Sequence, residues 1–200
     1  MIKASSKSER TRNFIIESTA EIFNKKGYAG TSLSDITSAT GLSKGAIYSN
    51  FKNKEEVALA VFDFNYSRLS KSTKERTDLA QTYHDRLMVY AKVYRNVSGG
   101  RINRGGCPIL NTATEADDTN NLLKDRAAKA ILQWKKNIVQ LIEQGIDAGE
   151  FKAEIDPRQT AFSIIALIEG GVMIARVTGD PANMDNVLQT VVMLIRQMKK

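Results

Sequence analysis

The stretch GLSKGAIYSNFKNKEE, residues 41–56, decides the fold. Gly41 and Leu42 read as a tight turn. Ser43 reads as a helix cap, because its short hydroxyl can accept a hydrogen bond from an N–H of the first turn. The helix that it starts ends near Phe51. Asn53 caps the next one, with Glu56 at its third position. In the short helix only Ile47 and Phe51 suit a core, which leaves Lys44, Gly45, Ala46, Tyr48, Ser49 and Asn50 outside. A helix with so little apolar surface presents its outer face to something other than its own protein.

Working upstream, SLSD places Ser32 as a cap and Asp35 as its capping-box partner, for a helix that ends by Gly41. Before it, ERTRNFIIESTAEIFNKKGY carries Ile15, Thr19, Ile22 and Phe23 on one face, with Ile16 and Ala20 alongside, and Gly27 as the stop. Three short helices with a tight turn between the second and third make a helix-turn-helix. Its core is Ile36, Ala39, Leu42, Ile47 and Phe51, packed on Ile22 and Phe23. The major groove of B-DNA, about 12 Å wide, admits one such helix. Gly45 and Ala46 allow close approach, Lys44 can reach a base or a phosphate, and Tyr48 and Asn50 can donate to phosphate oxygens. Helix starts at Ser32, Ser43 and Asn53 add backbone N–H groups and a favourable dipole. Lys52 and Lys54 add counter-charge, and Arg10 and Arg12 are further candidates for phosphate contact.

The string SLSDITSATGLSKGAIYSNFKNKEEV, after NKKGYAGT, resembles the DNA-binding region of the TetR family of bacterial transcriptional regulators, over roughly residues 8–60. The resemblance implies an all-helical homodimer with a divergent C-terminal domain that binds a small ligand. By position, it implies base contact for Lys44, Gly45 and Ala46, phosphate contact for Tyr48, and backbone contacts for Thr31 and Lys54. Ser49 and Asn50 stand where histidine or a second aromatic is frequent, which bears on the preferred DNA sequence.

Charge agrees with this reading. The 200-residue chain has a net charge of +7, and residues 1–54 hold nine Lys/Arg against four acids. An anionic partner suits that distribution. With one cysteine, Cys107, and one histidine, His84, neither an internal disulfide nor a histidine–cysteine metal cluster can form. No cofactor or metal is expected. The start, MIKASSKSER, lacks the apolar run of a secretory signal. The most apolar run, AFSIIALIEGGVMIA, is interrupted by Glu169 and shorter than the ~20 residues of a membrane helix. A cytoplasmic location follows as the expectation.

The expected fold is all-α, with about nine helices. Residues 1–54 are expected to be a helix-turn-helix domain, and residues 55–200 a ligand-binding and dimerisation domain. In the second part, a helix from Asn53 carries Val57, Val61, Phe64 and Leu69. Leu79 to Val97 reads as a helix with Leu87, Tyr90, Ala91 and Tyr94 on one face, and SGGRINRGG as a loop. Pro108, Pro157 and Pro181 each mark a helix start. Asp118 is the expected cap of a long helix with Ile131, Trp134, Ile138, Leu141, Ile142 and Gly145 on its stripe.

Candidate cavity residues are Phe62, Tyr66, Tyr90, Tyr94, Trp134, Glu169 and Met173, all at helical spacing and each equally suited to a core. The last two helices, apolar beyond the needs of one chain, offer Ile164, Ile168, Val172, Val187, Val191, Leu194 and Ile195 for a dimer interface. Cys107, beside Arg101 and Arg104, reads as a buried residue at a helix start or a thiol of lowered pKa. The function expected is a ligand-responsive regulator, a repressor that binds a pseudo-palindromic operator as a homodimer and is released by a small-molecule effector. Two other readings stay open: a small-molecule-binding helical protein with a vestigial DNA-binding domain, and a helical enzyme. For the enzyme the sequence offers no nucleophile–base pair.

Overall fold

The computed structural model describes residues 6–99 and 102–200, so Arg101 lies outside the described residues. Nine helices run in order along them: α1 (Lys7–Gly30), α2 (Leu33–Thr40), α3 (Lys44–Tyr48), α4 (Lys54–Leu79), α5 (Tyr83–Ser98), α6 (Pro108–Ala116), α7 (Asn121–Asp147), α8 (Pro157–Thr178) and α9 (Ala182–Gln197). No strand longer than the isolated bridge between Phe151 and Lys199 occurs among the described residues.

The caps explain most boundaries. Ser6 and Glu9 form a capping box at α1, as do Ser32 and Asp35 at α2. Gly27 breaks α1 as expected: its φ of 73° lies in the left-handed region, and one more turn follows to Gly30. Gly41 ends α2 with φ 68° and donates its N–H to the Thr37 carbonyl. Asn53 Oδ1 accepts from the Glu56 N–H. Two starts differ from the sequence reading. Helix α5 begins at Tyr83 rather than Leu79, because Thr82 accepts from the Asp85 N–H. Helix α7 is capped by Asn120, which accepts from the Leu123 N–H, rather than by Asp118.

Packing divides the chain into two compact units. One comprises Met1–Ser67 with Pro108–Ala127, the other Arg68–Cys107 with Ala128–Lys200. Residues 55–67 and 108–127 thus pack with the N-terminal helices. In the first unit, Ile15, Phe23, Ile36, Ile47, Phe51, Val57 and Val61 form the core, with Leu42 packed against it. Ile22 is only partly buried. Ala39, expected in this core, is exposed; Thr40 is buried instead, and its hydroxyl donates to the Ile36 carbonyl. From α6, Glu115 accepts from the N–H groups of Tyr28 and Ala29, holding the turn that follows Gly27.

In the second unit, Trp134, Ile138 and Ile142 of α7 are buried, with Ile131 and Leu141 on their flank. Helices α8 and α9 pack closely where α8 has Gly171: a Cβ there would lie 2.8 Å from Met184 Sδ. Helix α8, with 22 residues, is long and apolar enough to cross a membrane by length and composition, which corrects the expectation that its apolar run is too short. Here it packs against α9 and α5.

Candidate nucleic-acid interface

Helix α3 is held from below and open above. Ile47 is fully buried. Ser43 Oγ caps the helix by accepting from the Ala46 N–H at 3.2 Å. Lys44, Gly45, Tyr48 and Ser49 are exposed, with Ala46 and Asn50 partly so. A Cβ on Gly45 would come no closer to any neighbour than Ser43 Oγ at 4.0 Å, so the glycine is not required by packing. Its lack of a side chain leaves the backbone open on the outer face.

Not every expected contact residue shares that face. Thr31 is fully buried and donates its hydroxyl to the Gly27 carbonyl. Lys54 Nζ donates to the carbonyls of Tyr28 and Thr31 at 2.8 and 2.9 Å, and lies 4.4 Å from the centre of the Tyr28 ring. Both residues therefore act as positioning residues inside the unit, a correction to their reading as backbone contacts. Ser32 Oγ is the α2 cap, and Ser49 Oγ donates to the Ala46 carbonyl. Asn50 is anchored as well: Nδ2 donates to the Ala46 carbonyl and Oδ1 accepts from Ser8 Oγ. Lys52 is exposed beside the start of α4.

Arg12, expected at a phosphate, and Glu56 build the frame instead. Arg12 lies 4.0 Å from the centre of the Phe51 ring and donates to the Asn50 carbonyl and to Glu56 Oε1. It therefore points inward, where it supports the loop after α3. Glu56 also accepts from the Lys52 N–H, and that bond, followed by Arg12, holds its carboxyl below the usual range. On α2, the Lys26 ammonium, with the backbone and hydroxyl of Ser32, brings Asp35 down to about 2. Both acids are thus ionised partners of the frame at neutral pH and lower the positive charge of its surface.

Residues 15–61 match a family described as bacterial regulatory proteins, tetR family, and residues 84–191 match the tetracyclin repressor-like C-terminal domain. A TetR-family transcriptional regulator from Cytophaga hutchinsonii is 48% identical, with a TM-score of 0.94 and 98% of each chain covered. One from Chloroflexus aurantiacus is 37% identical, with a TM-score of 0.92, covering 96% of this chain and 98% of that one. The HTH-type transcriptional regulator TtgR of Pseudomonas putida is 28% identical over 169 residues, which is 82% of this chain and 79% of that protein. The chain belongs to the TetR family of transcriptional regulators. It is a ligand-responsive, DNA-binding regulator with a helix-turn-helix.

In this TetR-family chain the candidate cavity residues fall into separate groups. Phe62 and Tyr66 stack with ring centres 6.2 Å apart in the first unit. Phe62 there lines a void of about 30 Å3, the space of a single water rather than of an organic ligand. In the second unit Trp134 stacks on Tyr94 at 4.6 Å and on Tyr90 at 6.4 Å, and the buried Trp134 Nε1 has no hydrogen-bond partner. Glu169 Oε1 accepts from Cys107 Sγ at 3.0 Å, while its buried Oε2 has no partner. Burial brings the Glu169 carboxyl up to about 7. Met173 faces outward and is 51% exposed, so it leaves the cavity group. Cys107 itself is buried. Among the described residues no three acids, histidines or cysteines gather in a way that could hold a metal ion.

The expected dimer residues are also redistributed. Ile164, Ile168, Val172, Val191 and Ile195 are buried inside the chain by the α8–α9 contact. Val187 and Leu194 are partly exposed. The open apolar surface of α8 is instead Phe162, Met173, Ile174 and Val177, the last 83% exposed.

Proposed function

We propose that residues 1–54 are the operator-reading part of a homodimeric repressor and residues 55–200 its effector-binding and dimerisation part. Two copies of α3 enter successive major grooves of a pseudo-palindromic operator, with half-sites roughly 34–36 Å apart. Lys44, Gly45 and Ala46 face base edges, and Tyr48 and Lys52 face phosphates. The observation that carries this reading is α3 itself: Ile47 is buried beneath it, while Lys44, Gly45, Tyr48 and Ser49 stand exposed on a helix that Arg12, Glu56 and Lys54 hold in place.

The sign of regulation follows a relative named as a transcriptional repressor, DhaR of a Mycobacterium species, 23% identical over 182 residues. The effector is a small molecule that binds the second unit through the aromatic group of Tyr90, Tyr94 and Trp134. The unpartnered Trp134 Nε1 supports this choice, because a buried donor without a partner is costly and a ligand acceptor would satisfy it. An effector releases DNA only if it favours a state whose recognition helices no longer fit the operator. The place of action is the cytoplasm, where the operator is.

Selection from a random duplex library, followed by salt titration of the winners, tests the proposal. A two-fold-symmetric consensus and a steep salt slope are expected. Tyr48→Phe should weaken binding to all sequences alike with unchanged unfolding, whereas Lys44→Ala should change the preferred bases. Absence of a symmetric consensus, with and without candidate effectors, would leave the protein a small-molecule binder with a vestigial DNA domain.

A further inference from the structure

A groove opens to solvent between α5 and α9, with a volume of about 680 Å3. Its lining is apolar at Met88 and Ala91 from α5 and at Leu188 and Val192 from α9. Lys92, Arg95 and Arg196 also line it, and no acidic residue does. Arg95 Nε is held by Asp185 Oδ1 at 2.6 Å. Lys92 and Arg196 are exposed and form no ion pair among the described residues. Asp85, two turns back on α5, is the acid whose carboxyl feels Lys92, and only behind the stronger influences of Thr82 and His84.

Three properties together define an occupant. The volume lies within the range of roughly 300–1,000 Å3 typical of small-molecule sites. The helical rise over residues 88–95 and 188–197 makes the groove about 10–14 Å long. Its lining joins an apolar strip to uncompensated positive charge. Methionine at positions 88 and 193 lends the walls side chains that adapt to chains of different length. An uncharged ligand would leave the cations unused, and a cationic one would be repelled.

We propose that this groove binds a low-molecular-mass amphipathic anion, an acyl or alkyl chain ending in a carboxylate. The chain lies on Met88, Ala91, Leu188 and Val192, and the carboxylate accepts from Lys92 and Arg196. Tyr90, Tyr94 and Trp134 do not line the groove, so this site is independent of the proposed effector site.

Calorimetric titration of the full chain with decanoate, below its micelle concentration, tests the proposal against decyltrimethylammonium and vesicles of phosphatidylglycerol. Decanoate should bind once per chain, and the cation at least tenfold more weakly. Lys92→Glu combined with Arg196→Glu, both at exposed positions, should lower decanoate affinity roughly tenfold or more without changing the unfolding transition. Val192→Asp should abolish binding by charging the floor. Equal binding of decanoate to the wild type and the charge-reversed variant would overturn the proposal. So would binding to vesicles without binding to monomeric decanoate. A change of association state in the charge-reversed variant, measured by sedimentation without amphiphile, would make the groove a surface between copies and overturn it as well.

Discussion

Lys52 and Lys54 stand two positions apart and have different roles. Lys52 is exposed, whereas the Lys54 ammonium bridges two carbonyls on the far side of the α1 turn. Lys52→Ala should therefore reduce the salt slope of DNA binding by about 0.9, the share of one neutralised phosphate. Lys54→Ala should destabilise the chain by roughly 1–3 kcal/mol, because two carbonyls lose a charged donor. Denaturant unfolding of both variants, beside salt titrations, separates the roles. A lysine flanked by polar residues reads as counter-charge in sequence, and only the approach of the α1 turn to Lys54 gives it another task.

Glu169 sets a pH dependence. Its folded pKa of about 7 lies above the ordinary 4.5 because burial disfavours the carboxylate. Below 4.5 the folded and unfolded states both hold the proton, and this contribution to stability is fully present. Between 4.5 and about 7 only the folded state holds it, so stability falls as pH rises, by roughly 3 kcal/mol in all. Above about 7 both states are ionised and the loss is complete. Glu169→Gln, which stays neutral and can still accept from Cys107, should flatten urea midpoints measured between pH 5 and pH 8.5.

At the scale of elements, Gly145 of α7 exists for the turn that follows it. A Cβ there would lie 2.2 Å from the Phe151 ring, and Phe151 is fully buried. The Glu150 and Phe151 N–H groups also return to the Gly145 carbonyl. Gly145→Ala would gain up to about 1 kcal/mol of helix propensity. Overpacking, at about 1–3 kcal/mol or more, outweighs it. A net loss of stability is expected, read from the denaturation midpoint. Helix starts show how far local signals reach. Ser32, Ser43 and Asn53 act as the sequence suggests, each capping through a bond to a residue three positions on. Thr82 with Asp85 is the same kind of signal, and it outweighs the apolar Leu79 in setting the start of α5. In the run Asp117, Asp118, Thr119, Asn120 several residues could cap. Asn120 does so while its Nδ2 donates to Glu55, a partner 65 positions away that no local pattern reveals.

For the whole molecule, Met173 and Val177 give the assembly its test. They lie on the open side of α8, while Gly171 and Val172 close against the chain's own core. In the proposed dimer, Met173→Asp with Val177→Asp should shift the equilibrium to monomers in sedimentation velocity. Affinity for a two-half-site operator should fall with it, since the two recognition helices would then bind separately. Unchanged sedimentation would place the dimer face elsewhere.

The all-helical class, the turn at Gly41, the three caps around it and the exposed outer face of α3 were determined by the sequence alone. Each depends on residues within a few positions of one another, where 3.6-residue periodicity and capping chemistry act. Tertiary structure decided which polar residues face outward. Thr31 and Lys54 turn inward because the α1 turn approaches them, Arg12 because Phe51 and Glu56 do. It also divided the apolar residues of α8 and α9 between core and open surface. A helix that is apolar nearly all round has no sequence mark for the side its neighbour covers, and here Gly171 and the packing of α9 made that choice.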